Sequence, residues 1–226
     1  MASISSYQTF PNSRKPIGKT ISPLANSFSL VEMNSHFRFL IMDCPTDSTI
    51  SLYLKEFSRL NVTDVVRVCE STYNTERLIA AGISVHNFPF KDGDVPSQTI
   101  VNSWLQLVNQ RDAESAKKIL ELPVPTTIAV HCVAGLGRAP VLVAIALIEQ
   151  GTDPVDAIEL IRRKRRGAFN NKQITHLVNG YKRSSGKTRQ NLLKTNTVPA
   201  VLGQKQSSSS SKDSTKSFFK KMFGSN

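Results

Sequence analysis

The sequence contains no run approaching the roughly 18 apolar residues of a membrane-spanning helix, and its opening MASISSYQTFPNSRKPIGKT has no hydrophobic block of the secretory kind. Neither a spanning helix nor an export signal is expected, and a cytoplasmic chain is. Cysteine is scarce: Cys44, Cys69 and Cys132 are an odd number at wide spacings. That usage fits neither a disulfide-stapled scaffold nor a zinc site, and it suits a reducing compartment. No metal or cofactor is expected. The central part of the chain also lacks a charge excess. The whole chain carries +12, yet residues 31–180 hold 16 basic and 16 acidic groups. Residues 1–30 hold three basic and no acidic groups, and residues 181–226 hold ten basic and one acidic. The balance argues against a nucleic-acid-binding core. It leaves basic ends that favour anionic surfaces, including the inner face of a membrane, at roughly 1 kcal/mol per residue near such a surface.

What is present is enough for one ordinary domain: 226 residues, 39% of them hydrophobic. Residues 1–30, rich in Ser, Asn and Pro without apolar periodicity, are expected to be a disordered extension, and residues 182–226, with the run SSSSSKDS, a disordered basic tail. Residues 31–181 form the domain. Within it Phe37 to Met42, Val62 to Cys69, Ile83 to Phe88 and Thr127 to His131 read as buried strands. Helical spacing follows at Ile50 to Leu60, from about Thr75 to Ala81 with Gly82 as its left-handed terminator, and over Ile100 to Val108. Residues 112–125 fit either a continuation of that helix or a surface excursion. VLVAIALIEQ reads as a buried helix, and Asp153 with Pro154 as the cap and first position of the next, which ends in RRKRRG. Lys172 to Tyr181 suggests a last helix. Alternating strands and helices predict an α/β sandwich around a mostly parallel central sheet, with its ligand at the carboxyl ends of the strands.

The chemistry concentrates in His131-Cys132-Val133-Ala134-Gly135-Leu136-Gly137-Arg138, a C-x5-R loop between a strand and a helix. A thiol at a helix N-terminus beside an arginine ionises readily and attacks phosphorus. Gly135 and Gly137 let the backbone curl so that N–H groups converge on phosphate oxygens. Arg138 adds a planar fork matching two of those oxygens. The reaction also needs a carboxyl group to protonate the leaving oxygen and later activate water. Asp92 in FPFKDGDVP is the candidate, with Gly93 as hinge and Asp94 behind it; either aspartate would also serve simply to stabilise the turn. Cys44 reads as a small core residue. Arg162 to Arg166 read as the solvated end of a helix placed against the negative pole of its dipole.

HCVAGLGRAPVLVAIALIE, with VVRVCESTYNT, PFKDG and RRKRRGAFN, resembles the phosphatases of regenerating liver, the type IVA branch of dual-specificity-like protein tyrosine phosphatases. The resemblance covers about residues 31–181. It implies Cys132 as nucleophile, Arg138 as phosphate binder, Asp92 as general acid and base, and the loop Val133 to Gly137 as phosphate cradle supported by His131 and Ala139. It also implies that Cys69, on residues alone a core position, closes a reversible disulfide with Cys132, a protection against over-oxidation. Most of the superfamily carries Ser or Thr where this chain has Ala139, so the resemblance implies slow turnover through a persistent phosphocysteine on phosphotyrosine-containing proteins. A second reading follows: a binding module that docks the CBS-pair domains of membrane magnesium transport mediators. A lipid phosphatase is disfavoured, because Val133, Ala134 and Leu136 offer a polyanionic headgroup no charge. The chain departs from the family in having no C-a-a-X box among its last residues, so prenylation is not expected, and in Asn87-Phe88-Pro89-Phe90-Lys91, where the family has Trp before the Pro and an acidic residue in place of Lys91.

Overall fold

A computed structural model of the chain describes residue 24 and residues 27–70, 72–118 and 124–184. The expectations for most of residues 1–30 and for nearly all of the basic tail therefore lie outside the described residues. Five strands form one sheet in the order β1-β2-β5-β3-β4. β2 (Phe37–Met42), β5 (Thr126–His131), β3 (Val62–Arg67) and β4 (Ser84–Asn87) are mutually parallel, and β1 (Phe28–Glu32) pairs antiparallel with β2. The mostly parallel α/β sheet is the one the sequence predicts. β1 is not: its first three residues fall in the stretch read as an extension. The segment alternates half-buried and buried positions (Phe28, Ser29, Leu30, Val31), a period of two too short to stand out beside the Ser-rich residues before it.

The central strands carry side chains to two hydrophobic clusters, one on each face, as residues alternate along a strand. Phe37, Phe39 and Ile41 of β2, Val66 of β3, and Ile128 and Val130 of β5 face one cluster. It is completed by α3 (Gln98–Lys118), α4 (Arg138–Glu149) and α5 (Pro154–Lys164). Leu40, Met42, Val65 and Ala129 face the other, under α1 (Ile50–Arg59) and α2 (Glu76–Ala80). α4 lies between sheet and outer helices, with every residue from Arg138 to Ile148 buried; Trp104 of α3, fully buried, donates its indole N–H to Leu142 O at 2.7 Å. Residues 112–118 continue α3, which resolves the ambiguity there as far as Lys118, and residues 119–123 lie outside the described residues. Asp153 caps α5 by accepting the Val155 N–H. α6 (Asn171–Thr175) runs into a single π turn, His176–Gly180. No helix among the described residues is long and apolar enough to cross a membrane.

Asp64 of β3 is wholly buried and fully engaged: Arg111 donates Nε to Oδ2 at 2.8 Å and Nη2 to Oδ1 at 3.0 Å, Thr63 donates at 2.7 Å, and His86 Nε2 lies 2.8 Å away. Burial alone would raise its pKa, but the His86, Arg111 and Thr63 hydrogen bonds together outweigh it and hold the carboxyl below its ordinary value. A depressed carboxylate stabilises the fold above the ordinary aspartate range and loses that contribution as the pH falls below it. Urea midpoints are thus expected to drop on acidification through that range. Asp64→Asn should cost about 3 kcal/mol at neutral pH and flatten the acid limb; equal stability and an unchanged limb would refute the assignment.

Candidate active site

β5 is flanked by strands on both sides and ends at His131, so Cys132 emerges from the middle of the sheet at its carboxyl edge. Cys132 is 3% exposed, while Val133 and Leu136 beside it are exposed. Four successive carbonyls of the following loop are held from outside. Val133 O accepts the Cys44 N–H at 2.9 Å and Leu136 O accepts the Phe169 N–H at 2.8 Å. Arg165 spans the two between, donating Nη2 to Ala134 O at 2.7 Å and Nε to Gly135 O at 2.9 Å. The described peptides are all trans, and across a planar trans peptide the next N–H points opposite to the carbonyl. The amides of Ala134, Gly135, Leu136 and Gly137 are therefore turned the other way, into the loop. Gly135 has φ +67, and a Cβ there would meet Arg165 Nη2 at 2.7 Å and the Met42 carbonyl carbon at 2.8 Å. Only glycine fits.

Arg138, the first residue of α4 and nearly buried, closes the loop. Its Nη1 donates to Phe90 O at 3.1 Å, and its Nε stands 3.1 Å from Asp92 Oδ1, within ion-pair distance but without hydrogen-bond alignment. The guanidinium thus ties the loop that follows Cys132 to the segment carrying the candidate acid. The Asp92 side chain itself is 79% exposed. Asp94 is used otherwise. Its carboxylate pairs with Lys172 at 2.8 Å and accepts the Val95 N–H, and the Lys172 bond leads in holding its pKa below the usual range. Each aspartate thus stands beside a cation, Asp92 beside Arg138 and Asp94 beside Lys172, and of the two it is Asp92 that shares a guanidinium with the loop that carries Cys132. The loop is moored to α6 by Asn170 Nδ2 on Gly93 O (2.9 Å) and by buried Gln173 Nε2 on Asp94 O (3.0 Å).

Residues 28–193 match the family described as "Swiss Army Knife protein, DSP-PTPase phosphatase domain". Among curated relatives, "Probable protein tyrosine phosphatase type IVA A" of Dictyostelium discoideum is 49% identical over 158 residues, 70% of this chain and 90% of that one. "Protein tyrosine phosphatase type IVA 3" of Homo sapiens is 49% identical over 142 residues, 63% and 78% of the two chains. A solved protein tyrosine phosphatase from Leishmania major superposes with a TM-score of 0.60 at 43% identity, covering 69% of this chain and 99% of that one. The chain belongs to the type IVA protein tyrosine phosphatases.

Two features of this type IVA phosphatase escape a reading of its sequence. Arg165 lies inside RRKRR, which reads as a solvated helix end; instead Arg165 is nearly buried on the loop carbonyls and on Ser27 O (2.8 Å), and Arg162 donates to Ala168 O at 2.8 Å. The only available signal was that the run adjoins a glycine turn. Second, Cys44, read as a small core residue, packs against both hydrophobic clusters but is not confined to them. It is half-buried, with Sγ 2.9 Å from Thr72 Oγ1, and it joins Cys69 and His131 in a group whose ligand atoms all lie within 4.8 Å of one another. The wide spacing that argued against a metal site in sequence is closed by the fold. Within this group Cys44, together with burial, pushes the Cys69 thiol up, while the neighbouring Cys69, His131 and Thr72, opposed by burial, draw Cys44 down. The three cysteines are free thiols.

Proposed function

We propose that the chain hydrolyses phosphate esters of phosphoproteins, phosphotyrosine foremost, through a phosphocysteine on Cys132. The Cys132 thiolate attacks phosphorus, the ester P–O bond breaks, and Asp92 gives its proton to the departing oxygen. Asp92, now a carboxylate, takes a proton from water as that water attacks the phosphocysteine; the P–S bond breaks, releasing inorganic phosphate and the thiolate. Arg138 and the inward amides carry the charge on the equatorial oxygens, and donors fixed in advance are the larger part of such catalysis. The observation that carries this reading is the set of four outward-held carbonyls around a buried cysteine, which is an anion cradle with a nucleophile at its floor.

Ala139, fully buried directly after Arg138, has no hydroxyl to donate to the thiolate as it departs from phosphorus, so the second step is the slow one. Brief exposure to an aryl phosphate should give an intact-mass increase of about 80, one phosphoryl group, at Cys132. Ala139→Ser should shorten the life of that adduct and raise steady-state turnover by about tenfold, the worth of one hydrogen bond to a charged group. No adduct in either protein, with no hydrolysis, would overturn the function; an unchanged rate in Ala139→Ser would overturn the account of its slowness.

A further inference from the structure

Cys44, Cys69 and His131 reach one point from three separate places in the fold. Cys44 follows β2, Cys69 follows β3 and His131 ends β5, and these three strands are adjacent and parallel in the order β2-β5-β3. The three residues therefore converge at the carboxyl edge of the sheet: His131 is paired with Met42 and with Arg67, and Cys44 and Cys69 each follow two residues beyond those partners. One ligand atom from each lies within 4.8 Å of the other two. Bonds of about 2.3 Å from a tetrahedral ion to two sulfurs place those sulfurs about 3.8 Å apart, so the group needs adjustments of no more than about an ångström to close on one ion.

The surroundings match the chemistry of such a site. His131 Nδ1 faces Cys132 O at 3.1 Å, and a carbonyl can only accept, so the proton belongs on Nδ1 and the lone pair on Nε2. That is the tautomer a metal-binding imidazole adopts when its other nitrogen is anchored to a carbonyl. The Nε2 lone pair is taken up by Tyr73 OH at 2.9 Å, a hydrogen bond the ion would replace. Cys44 has its main chain fixed on Val133 O, and Thr72 Oγ1 lies at hydrogen-bond distance from its sulfur. Two thiols and an imidazole select zinc-class ions over magnesium or calcium. Cys44, half-buried, gives access from solvent.

We propose that Cys44, Cys69 and His131 form a binding site for a thiolate-seeking ion of the zinc class, beside the reactive centre and separate from it. Occupation would bring two thiol protons into solution, engage the Cys69 sulfur and fix the ring of the residue that precedes Cys132. A disulfide involving Cys69 and the bound ion are then mutually exclusive states, so metal supply sets how much Cys69 is open to oxidation.

The test uses the full chain carrying Cys132→Ser, reduced and stripped of metal, so the active-site thiol contributes nothing and the outcome is independent of the catalytic proposal. Titration with cobalt(II) should saturate at one equivalent, with thiolate-to-cobalt charge-transfer absorption and the strong visible bands of a four-coordinate ion, and zinc should displace it. Adding Cys44→Ser should weaken cobalt binding more than tenfold while leaving far-UV circular dichroism and the metal-free thermal midpoint in place. Binding that ignores Cys44→Ser, cobalt spectra without charge transfer, or a Cys44–Cys69 disulfide that forms in place of metal uptake would each overturn the site.

Discussion

Replacing Cys132 by serine is expected to lower aryl-phosphate hydrolysis at least about a thousandfold, the scale of losing a covalent nucleophile, and to abolish the mass adduct altogether. A serine hydroxyl in place of the sulfur stays protonated at neutral pH and is a far weaker nucleophile than a thiolate. The cradle itself is made by carbonyl contacts that do not involve the Cys132 side chain: Cys44 N–H, Arg165 and Phe169 N–H hold it from outside. Cys132→Ser should therefore keep its affinity for a phosphotyrosine peptide while losing turnover. Paired measurements of hydrolysis and anion binding check both halves. Residual hydrolysis near the wild-type rate would assign the chemistry to another group.

Gly135→Ala is expected to produce the opposite pattern, losing binding and turnover together. A side chain at φ +67 costs roughly 1–2 kcal/mol before any contact is counted. Its Cβ would also stand 2.8 Å from the Met42 carbonyl carbon, backbone that cannot yield, and 2.7 Å from Arg165 Nη2. Relief requires the loop to move away from β2 and off Arg165, which turns its carbonyls and so its amides. Orthovanadate affinity and kcat/KM should each fall by at least about a hundredfold, the effect of removing an oxyanion donor, with a thermal midpoint several degrees lower. A variant that folds and binds vanadate as tightly as the parent would show that the loop does not depend on Gly135.

The parts legible in sequence are those whose causes are local. The strand, glycine-bearing loop and apolar helix from Thr127 to Ile148 announce themselves because each residue type there has one physical use, and the glycine at position 135 is required by its own φ. Asp92 stands ahead of Asp94 in the sequence, but their cationic partners lie far along the chain, Arg138 for one and Lys172 for the other, and only the fold brings them together. Arg165 was hidden for the reverse reason: five basic residues in a row resemble a solvated face, and only packing of α5 beside the loop selects which of them turns inward. Cys44 gains its meaning from sheet order, because β5 enters between β2 and β3 only in three dimensions. β1 was missed because five residues carry too little period to outweigh the composition before them.

Two guanidinium groups act on opposite sides of one ring of peptide units. Arg138 closes the loop toward Phe90 and Asp92; Arg165 donates to Ala134 O and Gly135 O, drawing electron density toward those oxygens. Hydrogen bonds in series polarise one another, so a cation at the carbonyl end of a peptide makes the N–H at its other end a stronger donor. The loop thereby gains stronger amide donors without placing a second cationic side chain among them.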